Sequence, residues 1–182
     1  MKINVVGTSS SGKSTVSKKL SEILSIPYVE MAVLFWGPNW EPTTFRELCE
    51  KLRLALNVDS WILDGNYTRT TPIKWENATT VIWLDFSFIR SLLQSLKRAI
   101  ERIIDREELW PGTGNIETLG GLFSKDSIVL YTIKTHRRVR KKYETYIESN
   151  YYPNIQFIRL RSPKQVKSFL VRVKKNKKLI ID

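Results

Sequence analysis

Apolar residues along the chain follow two alternating patterns. Five short runs are continuously apolar and rich in β-branched or aromatic residues, which is typical of strands buried on both faces. These runs cover residues 3–6, 27–29, 61–63, 81–84 and 155–160. The segments between them carry apolar residues at helical spacing. Strands that alternate with helices predict an α/β fold, with a parallel sheet covered by helices on both sides.

The first helical segments are marked by spacing and by a capping signal. The first has an apolar face that should pack on the sheet, formed by Val16, Leu20, Ile23 and Leu24. Thr44 and Glu47, three residues apart, predict a capping box at the start of the second. That helix is expected to bury Phe45, Leu48, Leu52 and Leu56.

Three longer helices follow. Ser87 is the predicted cap of one that carries Leu92, Leu93, Leu96, Ile100, Ile103 and Ile104 at helical spacing. Pro111 and the glycines at 112, 114, 120 and 121 interrupt the pattern, which predicts a mobile insertion. Ser124 is the predicted cap of the next helix, and Ser162 with Pro163 that of the last.

Length and residue usage limit the class of protein. The chain has 182 residues, 42% of them hydrophobic, which suits a single domain over 1–182. Cys49 and His136 are the single cysteine and histidine, so neither an intrachain disulfide nor a zinc site of Cys and His ligands is possible. Because no run approaches the roughly 20 apolar residues of a membrane span, we expect a cytoplasmic protein without membrane attachment.

The net charge of +12 predicts a surface that attracts phosphates, acidic substrates, nucleic acid or anionic lipid, without choosing among them.

The segment "GTSSSGKST" favours phosphates among these ligands. It matches G-x-x-x-x-G-K-[ST] between a predicted strand and helix, the arrangement of a loop that holds nucleotide phosphates. The predicted nucleotide-binding residues are Gly7, Thr8, Ser9, Ser10, Ser11, Gly12, Lys13, Ser14 and Thr15. ATP and Mg²⁺ are therefore the expected cofactors, with Ser14 on the metal and Lys13 on the β and γ phosphates.

A phosphate loop requires a carboxylate at the end of a strand to hold Mg²⁺, and the chain offers two. Asp64 ends "WILD" and Asp85 ends "VIWLD". Gly65 follows Asp64 directly and allows the backbone to turn toward a ligand, which favours Asp64. The alternative role for Asp85 is that of a turn or helix-start residue before Ser87.

These motifs together resemble the P-loop small-molecule kinases, which include adenylate, shikimate and gluconate kinases. Within that group the chain looks most like the adenylate-kinase-related proteins labelled DNA topology modulation proteins. The resemblance covers nearly the whole chain, through the loop, "LFWGPNW", "WILDGNY", "VIWLDF" and "THRRVRKKYE". It implies a three-layer α/β/α P-loop fold with strand order 2-3-1-4-5 and a helical lid, and it supports Asp64 as the metal ligand.

The resemblance also implies an acceptor-binding arm over residues 30–58. There Glu30 would bind or deprotonate an acceptor hydroxyl, although pairing with a lysine is an equal alternative. Trp36 and its aromatic neighbours would cover a ring or anchor the loop. Asn66, Tyr67 and Arg69 are further candidates for acceptor binding. "DGNY" lacks the arginine with which adenylate kinases grip an acceptor phosphate, so Arg69 or Arg90 would have to replace it.

Basic residues flank the insertion at 104–126, as in a kinase lid. Arg98, Arg102 and Arg106 share a helix face before it, and Arg137 and Arg138 follow it. The resemblance implies that Arg102, Arg106, Arg137 and Arg138 neutralise the transferring phosphoryl group. Arg161, in "RSP", falls where related kinases surround the adenine, with an ordinary helix cap as the alternative.

Two functions are consistent with these features. The first is ATP- and Mg²⁺-dependent phosphoryl transfer to a small-molecule or nucleotide acceptor, by a monomer or homodimer. The second is a nucleic-acid-associated P-loop ATPase or a DNA topology modulation protein, suggested by the net charge and by the basic segments "KTHRRVRKK" and "RVKKNKK".

Overall fold

The computed structural model describes residues 1–106, 108–110, 112–118 and 127–179, and the side chain of residue 128 is left undescribed. The strands in this part of the chain are β1 (Lys2–Gly7), β2 (Tyr28–Glu30), β3 (Trp61–Asp64), β4 (Thr80–Leu84) and β5 (Gln156–Leu160). The α-helices are α1 (Lys13–Leu24), α2 (Met31–Phe35), α3 (Phe45–Leu56), α4 (Thr71–Trp75), α5 (Phe88–Asp105), α6 (Ile128–Glu148) and α7 (Pro163–Asn176). Short 3₁₀ helices cover Pro38–Trp40 and Thr68–Thr70.

The strands form one parallel sheet in the order β2-β3-β1-β4-β5, which confirms the predicted architecture and strand order. Asp64 lies opposite Val5 of β1 on one side and opposite Glu30 of β2 on the other. Because the strands run in the same direction, their carboxyl ends meet at one edge of the sheet. The phosphate loop, Asp64 and Glu30 are therefore neighbours.

A hydrophobic cluster covers each face of the sheet, as the unbroken apolar strands predict. On one face α1 and α7 contribute the buried residues Val16, Leu20, Phe169 and Val173. On the other face α3, α4 and α6 contribute Leu48, Leu52, Trp75 and Tyr143. The sheet is thus the middle of three layers.

The helix caps agree with the sequence in most cases. Thr44 and Glu47 form the predicted capping box, and the Ser87 and Ser162 hydroxyls accept the expected backbone hydrogen bonds. Ser127 caps α6, whereas the predicted cap Ser124 lies outside the described residues. The predicted burial of Phe45 is wrong: its ring is 42% exposed, at the first position of α3, beneath the Arg69 guanidinium.

Helix α5 buries its small residues and exposes its large ones. Ser91, Ser95 and Ala99 face the protein, and the Ser95 hydroxyl lies 2.8 Å from that of Thr132 on α6. Small side chains allow the two helices to approach closely. The apolar residues counted in the sequence therefore include several that face solvent, namely Leu93, Leu96, Ile100 and Ile104. Among the described helices, none is long and apolar enough to cross a membrane.

Candidate active site

The loop between β1 and α1 depends on glycine at its first position. Gly7 has a φ of +151°, and a Cβ atom there would lie 2.7 Å from the Leu84 carbonyl oxygen and 2.8 Å from the Ser11 hydroxyl. Ser10 and Gly12 are also left-handed, with φ values of 57° and 88°. The chain therefore turns tightly over the end of the sheet before α1 begins.

The loop's polar side chains converge on the space where phosphates would lie. The Lys13 ammonium donates to the Thr8 carbonyl at 2.9 Å. Burial lowers the pKa of Lys13 to about 8, with Asp64 opposing the shift and Arg98 adding to it. The buried hydroxyl oxygens of Ser10 and Ser11 have no hydrogen-bond partner within the described part of the chain. Because an unpaired buried hydroxyl is costly, these groups fit a ligand with many acceptor oxygens, such as a polyphosphate.

Asn66 fixes the start of this loop through its side-chain amide. Its Oδ1 accepts from the Gly7 N–H at 3.1 Å, and its Nδ2 donates to the Gly7 carbonyl at 2.6 Å. The Tyr143 hydroxyl donates to the same Oδ1, and the buried Lys74 ammonium donates to the Asn66 backbone carbonyl. The Asn66 side chain is thus engaged by the phosphate loop.

Asp64 lies at the end of β3 with both carboxylate oxygens hydrogen-bonded. Oδ2 accepts from the Tyr28 hydroxyl at 3.0 Å, and Oδ1 accepts from the Met31 N–H at 3.3 Å. Burial, followed by the charges of Asp64 and Glu30, raises the pKa of Tyr28, which keeps its proton, while the nearby Ser14 side chain opposes the shift. Tyr28 therefore binds Asp64 and lies close to the loop residue Ser14.

Gly65 is required for packing beside Asp64. Its φ is +121°, and a Cβ atom would lie 2.7 Å from that of Met31. The sequence predicts that this glycine allows the backbone to turn toward a ligand. In the structure, glycine makes room for α2, which in turn presents the Met31 N–H to Asp64.

Asp85 has a different environment from Asp64. Arg159 donates to its Oδ2 from Nε at 2.9 Å and from Nη2 at 2.7 Å, and an Arg140 nitrogen lies 3.5 Å away. Arg159 also pairs with Glu144 at 2.6 Å and covers the Trp83 ring. The Asp85 carboxylate is therefore part of an ion cluster between β4, β5 and α6.

Ser14 and Asp64 suit a cation that is completed by substrate. Within the described residues, no group of three or more His, Cys, Asp and Glu side chains could hold a metal alone. Mg²⁺ in nucleotide sites is held by one or two protein oxygens together with phosphates and waters. A hydroxyl, a single carboxylate and the adjoining phosphate loop fit this requirement.

An open cleft of about 430 Å³ separates the loop from α5. Its α5 wall consists of Gln94, Lys97, Arg98 and Glu101, opposite Lys13 and Ser14. Burial lowers the pKa of Arg98, and the neighbouring Arg102 lowers it further, while Glu117, Glu30 and Asp64 oppose the shift. Arg98 is thus within electrostatic reach of both the loop lysine and the carboxylates.

None of the four arginines predicted for the lid lines this cleft. Arg102 is paired with Glu117 at 3.3 Å, and Arg106 is the exposed, left-handed residue that ends α5. Arg137 and Arg138 are exposed on α6, and Arg161 is exposed before α7. Pro111, Gly120 and Gly121, which mark the predicted lid, lie outside the described residues.

The arm predicted for the acceptor contains a cluster of aromatic rings. Trp36 and Trp110 are nearly parallel, with centroids 6.3 Å apart and an interplanar angle of 17°. Trp40 meets both edge-on, at 5.8 Å and 5.7 Å. The Trp110 indole N–H donates to Glu30 at 3.2 Å. The predicted lid and the predicted arm are therefore in contact at Glu30.

Asn115 attaches the segment containing Trp110 to this arm. Its Oδ1 accepts from the Trp40 N–H at 2.7 Å, and its Nδ2 donates to the Gly37 carbonyl at 2.9 Å. The other two acceptor candidates differ in position. Tyr67 packs against Phe35 at 4.8 Å, beside the rings, whereas the Arg69 guanidinium lies 4.1 Å over the exposed Phe45.

No family model and no curated protein matches the chain. Solved structures do match, and one is deoxyadenosine kinase from M. mycoides with the products dCMP and a flexible dCDP bound. The TM-score is 0.56 at 17% identity, over 96% of this chain and 100% of that one. The fold is that of a P-loop kinase. A gluconokinase from Sinorhizobium meliloti 1021 also matches, with a TM-score of 0.50 and 14% identity, over 96% of this chain and 94% of that one.

Two residues of this P-loop kinase fold were missed as site candidates from the sequence. Arg98 is spaced four residues from Arg102, as Arg102 is from Arg106, so the sequence places it on the same helix face. The predicted lid, however, includes only the arginines nearest the insertion. Tyr28 gave no signal, because a tyrosine in an apolar run is ordinary in a strand. Its contact with Asp64 depends on the pairing of β2 with β3.

Proposed function

We propose that this chain is an ATP- and Mg²⁺-dependent kinase that transfers a γ-phosphoryl group to a small-molecule or nucleotide acceptor. The observation that carries the proposal is the convergence at one sheet edge of the loop's unpaired hydroxyls, Ser14 beside the hydrogen-bonded pair Tyr28 and Asp64, and Glu30. A kinase requires phosphate, metal and acceptor sites within one transfer distance, and this edge offers candidates for all three.

On the donor side, the loop amides and Lys13 would hold the phosphates, and Ser14 with Asp64 would hold Mg²⁺. Bound Mg²⁺ would neutralise charge on the phosphate oxygens. Arg98, together with the lid candidates Arg102, Arg106, Arg137 and Arg138, would stabilise the charge that develops on the transferring group. Arg161 would lie near the adenine.

On the acceptor side, residues 30–58 form the arm and residues 104–126 the lid, within one domain. Glu30 takes the proton of the acceptor hydroxyl while that oxygen bonds to the γ-phosphorus. The bond from the γ-phosphorus to the β–γ bridging oxygen breaks, and ADP leaves. The two neighbours, a deoxyadenosine kinase and a gluconokinase, differ in the acceptors that their names give, so the fold alone does not choose the acceptor.

The test is a phosphoryl-transfer screen with Mg²⁺-ATP and nucleosides, nucleoside monophosphates and hydroxy acids, run on the wild type and on Lys13→Ala. The variant should lose about 100- to 1000-fold in kcat, the cost of removing one strong charge-stabilising donor. Its melting temperature should change little, because the lysine contacts one loop carbonyl. Equal turnover in the two proteins would contradict the proposal.

The alternative is a nucleic-acid-associated ATPase, including the DNA topology modulation role. It is favoured by the exposed basic residues Lys134, Arg137, Arg138 and Lys141 on α6. Under this alternative, duplex DNA should stimulate ATP hydrolysis, and log Kd should rise steeply with log salt concentration. Under the kinase proposal, duplex DNA should leave ATP hydrolysis unchanged.

With its free cysteine, Cys49, the protein suits a reducing cytoplasm under either function.

A further inference from the structure

Trp110 makes an unusual set of contacts for a lid residue. Its side chain is buried, with 8% of the residue exposed, although Glu108 and Gly112 on either side of it are exposed. The indole N–H donates to a Glu30 carboxylate oxygen at 3.2 Å, and the ring faces that of Trp36. Trp40 closes one side of the ring with an edge contact.

Glu30 is the carboxylate that the proposed function assigns to the acceptor, and here a side chain of the protein is bound to it. We infer that the Trp110 indole occupies the acceptor's position and resembles it. The acceptor would be a compound with a flat aromatic ring and a hydroxyl group, and the hydroxyl would take the place of the indole N–H at Glu30. This inference rests on the proposed function for the role of Glu30, and its chemistry follows from the contacts of Trp110.

The surroundings of the indole favour an aromatic ring over a polyhydroxy compound. The walls of the site are the rings of Trp36 and Trp40, with Phe35 and Tyr67 packed next to Trp36. Flat rings gain from offset stacking and edge contacts with such walls. A compound with several hydroxyl groups would leave some of them without partners against these rings, which is costly.

The backbone around Trp110 is fixed independently of its ring. Asn115 binds the backbone of Gly37 and Trp40, and Thr113 donates to the Trp110 carbonyl from its hydroxyl at 2.7 Å. Rotation of the Trp110 side chain would break the Glu30 hydrogen bond and the ring contacts while these bonds persist. An entering acceptor can therefore replace the indole while the segment stays attached to the arm.

The experiment measures the Kd of five probes by calorimetry in the presence of Mg²⁺ and a non-hydrolysable ATP analogue. Adenosine, cytidine and pyridoxine are the flat aromatic probes, and gluconate and shikimate are the non-aromatic ones. Trp110→Phe keeps a ring but removes the donor to Glu30. Trp61→Phe is the matched control, since it makes the same change at a buried tryptophan outside the ring cluster, whose indole N–H has no hydrogen-bond partner among the described residues.

At least one aromatic probe should bind, and Trp110→Phe should tighten its Kd about tenfold, the effect of removing one competing hydrogen bond to a charged group. Trp110→Ala should tighten it at least as much, and Trp61→Phe should change it less than twofold. The tryptophan fluorescence of the wild type should shift to the red as the probe binds, because a buried indole enters water. This shift should be smaller in Trp110→Phe.

Weaker binding of every aromatic probe to Trp110→Phe would overturn the inference, because Trp110 would then be a wall of the site. Absence of binding to any variant, or tighter binding of gluconate or shikimate, would overturn it as well. The proposed function is judged separately, by turnover. Turnover of gluconate with a KM unaffected by Trp110→Phe would support the kinase proposal and contradict the aromatic acceptor. Displacement of Trp110 by a probe without phosphoryl transfer would support the aromatic ligand and contradict the kinase proposal.

Discussion

Two asparagine side chains in the candidate site each bind one backbone N–H and one backbone carbonyl of a distant segment. Asn66 binds the N–H and the carbonyl of Gly7, and Asn115 binds the N–H of Trp40 and the carbonyl of Gly37. Each amide acts like a short piece of paired backbone that joins two segments distant in sequence. Their supports differ. Asn66 is also bound by the Tyr143 hydroxyl and the Lys74 ammonium, whereas Asn115 is supported from its own loop by Leu109 and Thr113.

This difference separates the proposed donor side, which is preformed, from the proposed acceptor side, which is adaptable. The loop around Gly7 is attached to the sheet and to α6, so little ordering is required when phosphates bind. The arm and the lid meet through stacked rings, the Asn115 amide and the Arg102–Glu117 ion pair. Ring contacts tolerate small displacements better than hydrogen bonds do, which suits a region that has to admit an acceptor.

The largest expected effects distinguish Asp85, which should contribute to stability, from Asp64, which should contribute to turnover. Asp85→Asn should lower the free energy of unfolding by about 1.5–3 kcal/mol, because it removes the buried charge that accepts two hydrogen bonds from Arg159 and leaves Glu144 as the arginine's charged partner. Asp64→Asn should retain most of the stability, since the amide oxygen can still accept from Tyr28. It should lower Mg²⁺-dependent turnover about 100-fold. Urea unfolding and a Mg²⁺ titration of turnover check the pair, and the reverse pattern would contradict the metal assignment.

The second prediction compares the asparagines directly. Asn66→Ala should cost about 1–3 kcal/mol of unfolding free energy, because the Gly7 backbone groups lose partners in a buried setting. Asn115→Ala should cost less than about 1 kcal/mol, because water can reach the exposed Trp40 and the half-buried Gly37. Urea unfolding measures both values.

Nucleotide affinity provides an independent readout for the same two variants. Affinity for a non-hydrolysable ATP analogue should fall in Asn66→Ala and stay unchanged in Asn115→Ala. Equal losses of affinity would mean that the lid contributes to the donor site, and the division into two sides would then be wrong.

The sequence predicted most of the donor side because local rules determine it. Glycines at fixed offsets, a lysine and a serine define the phosphate loop, and unbroken apolar runs define the parallel sheet that carries it. It could not predict that Asn66 binds Gly7, 59 residues earlier in the chain. That contact depends on the pairing of β1 with β3. Partners across strands have no signature in the spacing of residues along one segment.

The acceptor side was less predictable for a related reason. Trp36 was singled out as an aromatic in an irregular loop, but its partner Trp110 comes from the interrupted segment after α5. Asn115 gave no signal at all, since an asparagine after Gly114 is typical of any turn. Phe45 was misplaced because an apolar residue at the first position of a helix was counted with its buried face. Contacts between loops depend on tertiary packing, which hydrophobic periodicity does not encode.

The third prediction concerns the ammonium that supports Asn66. Lys74 is 1% exposed, and its Nζ donates to the backbone carbonyls of Gly65 and Asn66. Burial, with a smaller effect from Lys142, lowers the pKa of Lys74 from 10.5 to about 7. Between about pH 7 and pH 10, the unfolded chain therefore binds a proton that the folded protein lacks. The free energy of unfolding should rise with pH across this window, by up to about 1.4 kcal/mol per pH unit.

Other buried lysines contribute to the rise at higher pH, which allows Lys74 to be isolated. Burial lowers the pKa of both Lys13 and Lys142 to about 8, so Lys74 should dominate the slope between about pH 7 and pH 8. Lys74→Met should remove most of the slope in this interval, whereas Lys13→Ala, the control, should retain it. Urea unfolding at half-unit pH steps measures the slopes. An unchanged slope in Lys74→Met would mean that Lys74 keeps its proton in the folded protein across this interval, so that burial does not lower its pKa as expected.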